Sequence, residues 1–283
     1  MYPLEKSDLE IYNKNGVVKL ENFFTRDDIN ICLKEYEQII SSDIGAEIYK
    51  DSPLVVLWTH VQGAKKKTCR LSDLPSFSNL ILDKLVPYFS EFIQKAYPNI
   101  KSHRLQLLET IVFNKPPKIS NTLNWHQDVA YFPLKPNNQI AVWFPLSDVT
   151  SDVGPMVYAH GSHKLGIRGS INLHTREPFE GEDRELIPQD PSKAGFKVKE
   201  YEMTQKDLLI HDGYTWHYSK PNISNKPRMG VSVRFIIEKS IFDPRPGQGA
   251  AFTKQIDVSA GDGIDSDCFP VFWEKDIKSL VTN

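Results

Sequence analysis

Apolar and polar residues alternate along this chain with a period that changes near residue 100. Before that point the period is helical. Residues 9–12 read as a short helix, and Gly16-Val-Val-Lys-Leu20 as a strand after it. Thr25-Arg-Asp-Asp28 has the form of a capped helix start, with Thr25 as N-cap and Asp28 reaching back. The helix it opens carries apolar residues at Ile29, Cys32, Leu33, Tyr36, Ile39 and Ile40, the spacing of one buried face. A second amphipathic helix is predicted over 79–96, through Leu80, Leu82, Leu85, Val86, Phe89 and Ile93, stopping ahead of Pro98.

Beyond residue 100 the texture changes to strand-like apolar runs. Residues 105–113, 140–144, 208–211 and 229–237 read as strands separated by turns rich in Pro, Gly and Asn, which predicts an antiparallel barrel or sandwich. No repeat, low-complexity tract or linker divides the chain. One α+β domain over 1–283 is therefore expected, with helical support in 1–100, a sheet core in 101–240 and a tail in 241–283. Residues 166–195 are polar and turn-rich, with Pro178, Gly181, Pro188 and Pro191; a loop of that length is a lid, a binding loop or a disordered segment.

Composition narrows the function classes. A net charge of −2 gives no general attraction to nucleic acid or to an anionic membrane, and Lys65-Lys66-Lys67 reads as a solvated loop. Three scattered cysteines, Cys32, Cys69 and Cys268, argue against a disulfide framework or a zinc cluster and favour a reducing compartment. The first residues lack an apolar signal core, no apolar run reaches the length of a membrane span, and the chain does not end in Ser-Lys-Leu. A cytoplasmic protein, monomeric or homodimeric, with a small molecule as its partner is expected.

The candidate chemistry lies in Asn124-Trp-His-Gln-Asp128. On extended backbone residues i and i+2 share a side, so His126 and Asp128 can aim at one metal while Gln127 points away. His217, in a second strand-like segment, would complete a 2-His-1-carboxylate set. That set grips ferrous iron on one face and leaves the other open, although zinc or manganese suits the same atoms. His211, His160 and His163 compete for the third place, and His211 also reads as a hydrogen-bonded pocket histidine. In the strand after Pro227, Arg228, Gly230, Ser232 and Arg234 share one face, and Met229, Val231, Val233 and Phe235 the other. If the apolar set packs on helices, the arginines face the interior and need a partner. A bound dicarboxylate would supply it, as would an internal Asp or Glu. Arg228 is the better placed for the first, because the turn at Lys220-Pro-Asn222 brings its strand back beside His217.

These residues resemble the phytanoyl-CoA dioxygenase (PhyH-like) family of Fe(II)/2-oxoglutarate oxygenases. The similarity runs through Asn15-Gly-Val-Val-Lys-Leu-Glu-Asn-Phe-Phe24, Asn114-Lys-Pro-Pro117, Trp125-His-Gln-Asp128, Tyr131-Phe-Pro133, Trp143, His160-Gly-Ser-His-Lys-Leu-Gly166, Trp216-His-Tyr-Ser-Lys-Pro-Asn222, Lys226-Pro-Arg228 and Phe269-Pro-Val-Phe-Trp273. His160 departs from it, standing where the family has proline. The resemblance implies a double-stranded β-helix (jelly-roll) core with flanking helices. It also implies iron ligands at His126, Asp128 and His217, and 2-oxoglutarate contacts at Arg228, Ser219, Trp143 and Ile111. A further lysine from an earlier segment is implied, unplaced among Lys65, Lys66 and Lys67. His160 and His163 then read as a structural turn. Related halogenases replace the metal carboxylate with a small residue; Asp128 is present, so the resemblance implies hydroxylation or a related oxidation. The expected enzyme consumes 2-oxoglutarate and O2 and oxidises a small metabolite, releasing succinate and CO2. Trp125, Tyr131, His211 and Arg234 are the candidate substrate contacts. The rival readings are a non-catalytic jelly-roll binding protein, a fatty-acyl-CoA 2-hydroxylase of the same family, and a zinc hydrolase using the same triad.

Overall fold

The strand-like segments pair into two main antiparallel sheets, and the helices cover one of them. The computed structural model describes residues 2–41, 56–60, 79–118, 123–173, 175–245, 258–265 and 269–276. Lys65, Lys66, Lys67, Cys69 and Cys268 lie outside these. In chain order the elements are α1 (Lys6–Asn15), β1 (Val17–Leu20), α2 (Arg26–Ser41), β2 (Val56–His60) and α3 (Val86–Ala96). There follow β3 (Ser102–Lys115), β4 (Leu123–His126), β5 (Leu134–Lys135), β6 (Gln139–Pro145), β7 (Met156–Ala159) and β8 (Val198–Tyr201). The last are β9 (Leu208–Asp212), β10 (His217–Ser219), β11 (Arg228–Ile236), β12 (Ile241–Phe242) and β13 (Val271–Asp276).

The major sheet runs β1-β9-β6-β11-β3-β13, with β2 also on β3; the minor sheet runs β4-β10-β7-β8, and β5 pairs β12. Alternation decides which side of the major sheet each residue serves. Leu208, Ile210, Ile140, Val142, Phe144, Val231, Val233 and Phe235 pack against Tyr12, Ile29, Tyr36, Phe89, Phe92 and Ile93 of the helices. Their neighbours Leu209, Trp143, Ile111 and Phe113 turn the other way and meet Met156, Tyr158 and Tyr201 of the minor sheet. The result is a jelly-roll sandwich, the second of the two arrangements the strand pattern allowed. No closed barrel forms among the described strands.

Thr25 and Asp28 form the expected reciprocal cap: Thr25 N donates to Asp28 Oδ2 at 2.8 Å, and Asp28 N to Thr25 Oγ1 at 3.2 Å. The 79–96 helix contains a π-helical turn at Ile81–Leu85. The wider turn rephases the buried stripe. Leu82, expected inside, is 45% exposed, and Ile81 is buried instead. Among the described residues no helix is long and apolar enough to cross a membrane.

Candidate active site

The three sequence-predicted ligands come from two paired segments of the minor sheet. His126 ends β4 and sits directly opposite His217 at the start of β10. Gln127 keeps extended backbone (φ −130°, ψ 143°), and Asp128 opens a short 3₁₀ turn. Asp128 therefore stays on the same side as His126 although the strand has ended. One ligand atom from each of the three residues lies within 4.8 Å of the other two, and all three residues are buried.

Backbone carbonyls fix both imidazoles. His126 Nδ1 meets Asn124 O at 2.7 Å, and His217 Nδ1 meets Thr215 O at 2.9 Å, so each ring directs its Nε2 lone pair at the shared point. Burial pulls His126 below the ordinary histidine range, and burial with the nearby His126 and His211 pulls His217 well below it. For Asp128 burial works the other way, but Arg234, His211 and His217 hold its carboxyl well below the usual range. Two neutral imidazoles and an ionised carboxylate are the protonation states a divalent metal needs.

Asp128 is held from both sides. Arg234 Nη2 donates to Oδ1 at 3.0 Å, and His211 Nε2 meets Oδ2 at 3.1 Å. Arg234 Nη1 also donates to Glu109 Oε2 at 2.5 Å, across the β3–β11 pairing. His211 Nδ1 meets the Tyr158 hydroxyl at 3.2 Å. Of the candidate substrate contacts, Arg234 and His211 thus border the cavity but are committed to Asp128. Tyr131 stands edge-on to the His126 ring and donates its hydroxyl to Ile171 O at 2.8 Å. Trp125 does not join them. One position before His126 on a strand, it takes the opposite face and packs with Tyr218, Trp216 and Ile187.

A cavity lined by His126 and His217 is also lined by Arg228, Trp143, His211 and Arg234. Arg228 is 1% exposed. Its Nη1 donates to Gly154 O at 2.6 Å and its guanidinium lies 5.3 Å from the Trp143 ring, but Nε is buried with no acceptor. Trp143 Nε1 is likewise buried without a partner. Gly230 makes room for that indole, since a Cβ there would stand 2.6 Å from Cζ2. Orphan buried donors beside an unpaired guanidinium fit an anionic group carrying several acceptors. Ile111 is buried in the same inter-sheet cluster as Trp143. Ser219, fully buried, accepts from Lys115 Nζ at 2.9 Å.

Lys115 is the functional candidate that sequence reasoning missed. The signal was present: Ile111 and Lys115 are four apart on one strand and so share a face. Glu109 and Tyr158 were also missed, and their partners are visible only once the strands are paired. His160 and His163 lie elsewhere, bonded to Tyr201 Oη at 3.0 Å and to Asn13 O at 3.3 Å.

The loop predicted over 166–195 is built onto the ligand strand. Gln127 Nε2 donates to Gly166 O at 3.2 Å, while its Oε1 accepts from Arg168 N. Asn124 N and Nδ2 both donate to Leu173 O at 2.9 Å.

Fold and site together define a mononuclear 2-His-1-carboxylate centre between the sheets of a jelly roll. The chain belongs to the phytanoyl-CoA dioxygenase (PhyH) family, whose model matches residues 12–230. That is a family of iron- and 2-oxoglutarate-dependent oxygenases, and this chain carries a His-Asp-His triad. Peroxisomal phytanoyl-CoA dioxygenase of Bos taurus is 24% identical over 236 residues, covering 80% of this chain and 66% of its own. The chain spans about half to two thirds of the length of the first curated relatives it matches. Among solved structures, the non-haem α-ketoglutarate-dependent carbocyclase SnoK from nogalamycin biosynthesis gives a TM-score of 0.67 at 20% identity, covering 95% of this chain and 96% of its own. The epimerase SnoN in complex with Fe3+, α-ketoglutarate and nogalamycin RO gives 0.68 at 17%, covering 95% and 98%. At these identities both speak for the fold.

Proposed function

We infer that this single-domain enzyme uses Fe(II), 2-oxoglutarate and O2 to oxidise a C–H bond of a small-molecule metabolite, releasing succinate and CO2. The carrying observation is one cavity lined both by the two triad histidines and by Arg228, a buried arginine with no carboxylate partner among the described residues. His126, Asp128 and His217 hold the iron. Arg228 takes the far carboxylate of 2-oxoglutarate, aided by Ser219, while Trp143 and Ile111 form the apolar wall. When bound, the metal with its two cosubstrates supplies the oxidant for C–H cleavage. The residues' own work is placement: carbonyl-fixed imidazoles, a carboxylate held on both oxygens, and an interior that excludes water. The loop over 166–195 acts as the lid above the substrate, with Tyr131 between it and His126. Natural-product or small polar-metabolite oxidation is the favoured role, supported by SnoK and SnoN, both from nogalamycin biosynthesis. Scattered cysteines, with Cys32 buried and unpaired, support a reducing compartment such as the cytoplasm.

The test is succinate release by Fe(II)-loaded protein over pools of metabolites and acyl-CoA thioesters, with and without O2. Oxygen- and 2-oxoglutarate-dependent succinate that disappears in His126→Ala is expected. Turnover that persists without O2, or with zinc in place of iron, would overturn the oxygenase reading. Turnover confined to thioesters would overturn the substrate class.

A further inference from the structure

Lys115 and Arg228 are direct cross-strand partners in the β3–β11 ladder, and both are at most 1% exposed. Like charges placed opposite each other destabilise a sheet, and burying them raises the cost. No carboxylate lies within 4.0 Å of either cation among the described residues. Burial, then Arg228, pulls the Lys115 ammonium down to about 6, so at neutral pH it keeps its charge only when an anion sits beside it. A core with no ligand to hold would be better served here by Met or Leu.

The contacts show what Lys115 does with its protons. Nζ donates to Ser219 Oγ at 2.9 Å and to the backbone carbonyl of Lys220. Beside a bound carboxylate Lys115 is an ammonium with no lone pair to offer, so Ser219 can then only accept from it. The Ser219 hydroxyl proton is then left to donate elsewhere. The segment around Gly154 is fitted closely to this arrangement. Its carbonyl accepts from Arg228, its φ is +84°, and a Cβ there would stand 2.7 Å from Lys220 O and 3.2 Å from Lys115 Cδ.

We propose that Lys115 is a positioning residue for the cosubstrate: it orients the Ser219 hydroxyl as a donor and sets a second positive charge behind the carboxylate that Arg228 grips. This rests on the reading of Arg228 and Ser219 as the anchor for 2-oxoglutarate. It adds that the selectivity of the pocket for a 2-oxo acid with a far carboxylate is set by Lys115.

Calorimetric titration of the anaerobic Fe(II) protein tests this, with 2-oxoglutarate and with pyruvate, which has the 2-oxo acid end but no far carboxylate. Lys115→Met is expected to weaken 2-oxoglutarate binding about 10- to 100-fold, the scale of a hydrogen bond to a charged group, while pyruvate affinity stays within about twofold. Ser219→Ala should weaken it similarly, and the double variant should be no weaker than the worse single, because one contact acts through the other. Lys115→Gln, which keeps an N–H donor but no charge, serves the same comparison should Lys115→Met fail to fold. Equal loss for both acids, or no loss for either, overturns the proposal. Wild-type protein that binds neither acid would instead overturn the cosubstrate reading beneath it.

Discussion

Asp128 accepts from Arg234 on one oxygen and meets His211 on the other, so its orientation is fixed before any metal arrives. Strand phasing places Arg234 inward, and the structure shows which of its two possible partners it took: the internal carboxylates of Glu109 and Asp128. Partners one step removed from a metal typically carry 10- to 100-fold of its affinity. Arg234→Met should therefore weaken Fe(II) binding by about that factor in anaerobic titration. It should also cost about 3–5 kcal/mol of stability, because two carboxylates lose their cation. Unchanged iron affinity in the folded variant would remove Arg234 from the site. Cys32 offers a second residue-level check. Burial, then Glu35 and Asp28, pushes its thiol up to about 12. Iodoacetamide at pH 8 should leave the Cys32 peptide unmodified in folded protein and label it once denaturant unfolds the chain.

Among the elements, the long strands were legible and the short ones were not. β6 and β9 show as continuous apolar runs, and β11 alternates over enough residues for its two faces to be assigned from sequence. β4, β7, β8 and β10 have three or four residues each, too few for a period, and their pairing rests on contacts distant in the chain. That is why the triad was legible as a motif while Glu109 and Tyr158 were not. The π turn at Ile81–Leu85 left no signal in composition, so Leu82 was assigned to the wrong face. The 166–195 loop looked equally like a lid or disorder because polarity does not reveal hydrogen bonding. In fact Glu182 accepts from Ser170 N at 2.7 Å, Ser170 Oγ at 2.8 Å and Arg184 Nε at 2.7 Å. Burial opposes ionisation there, but these bonds win and bring the Glu182 carboxyl from 4.5 down to about 2. A depressed carboxylate contributes stability that is present above its unfolded pKa and is lost as pH falls through the folded one. Glu182→Gln should accordingly be cut faster within the loop by limited proteolysis at neutral pH. The difference in melting temperature from wild type should shrink as pH falls from 4.5 toward 2. A gap that stays constant across that range would mean the carboxylate does not hold the loop.

At the scale of the molecule, the major sheet divides its labour by parity. On β11, Val231, Val233 and Phe235 belong to the helix-side core, while Arg228, Ser232 and Arg234 line the cavity. The same strand thus carries folding energy on one face and chemistry on the other. The division makes a prediction that neither face makes alone. Phe89 is fully buried, edge-on to Phe92 and 6.1 Å from the Phe235 ring. Truncating it to alanine leaves a cavity in the helix-side core and should cost about 3–5 kcal/mol, lowering the melting temperature by roughly 6–20 °C. Trp143→Ala, a comparable truncation on the cavity face, should cost a similar amount. Only the second should alter ligand binding, since Phe89 touches β11 on the face away from Arg228 and Arg234. Below both melting temperatures, Fe(II) and 2-oxoglutarate titrations should match wild type within about twofold for Phe89→Ala, whereas 2-oxoglutarate binding should fall at least about tenfold for Trp143→Ala. If Phe89→Ala weakened either ligand as much, the backbone of β11 would be passing strain from the helix side to the site, because among the described residues no side chain of the helix-side core lines the cavity.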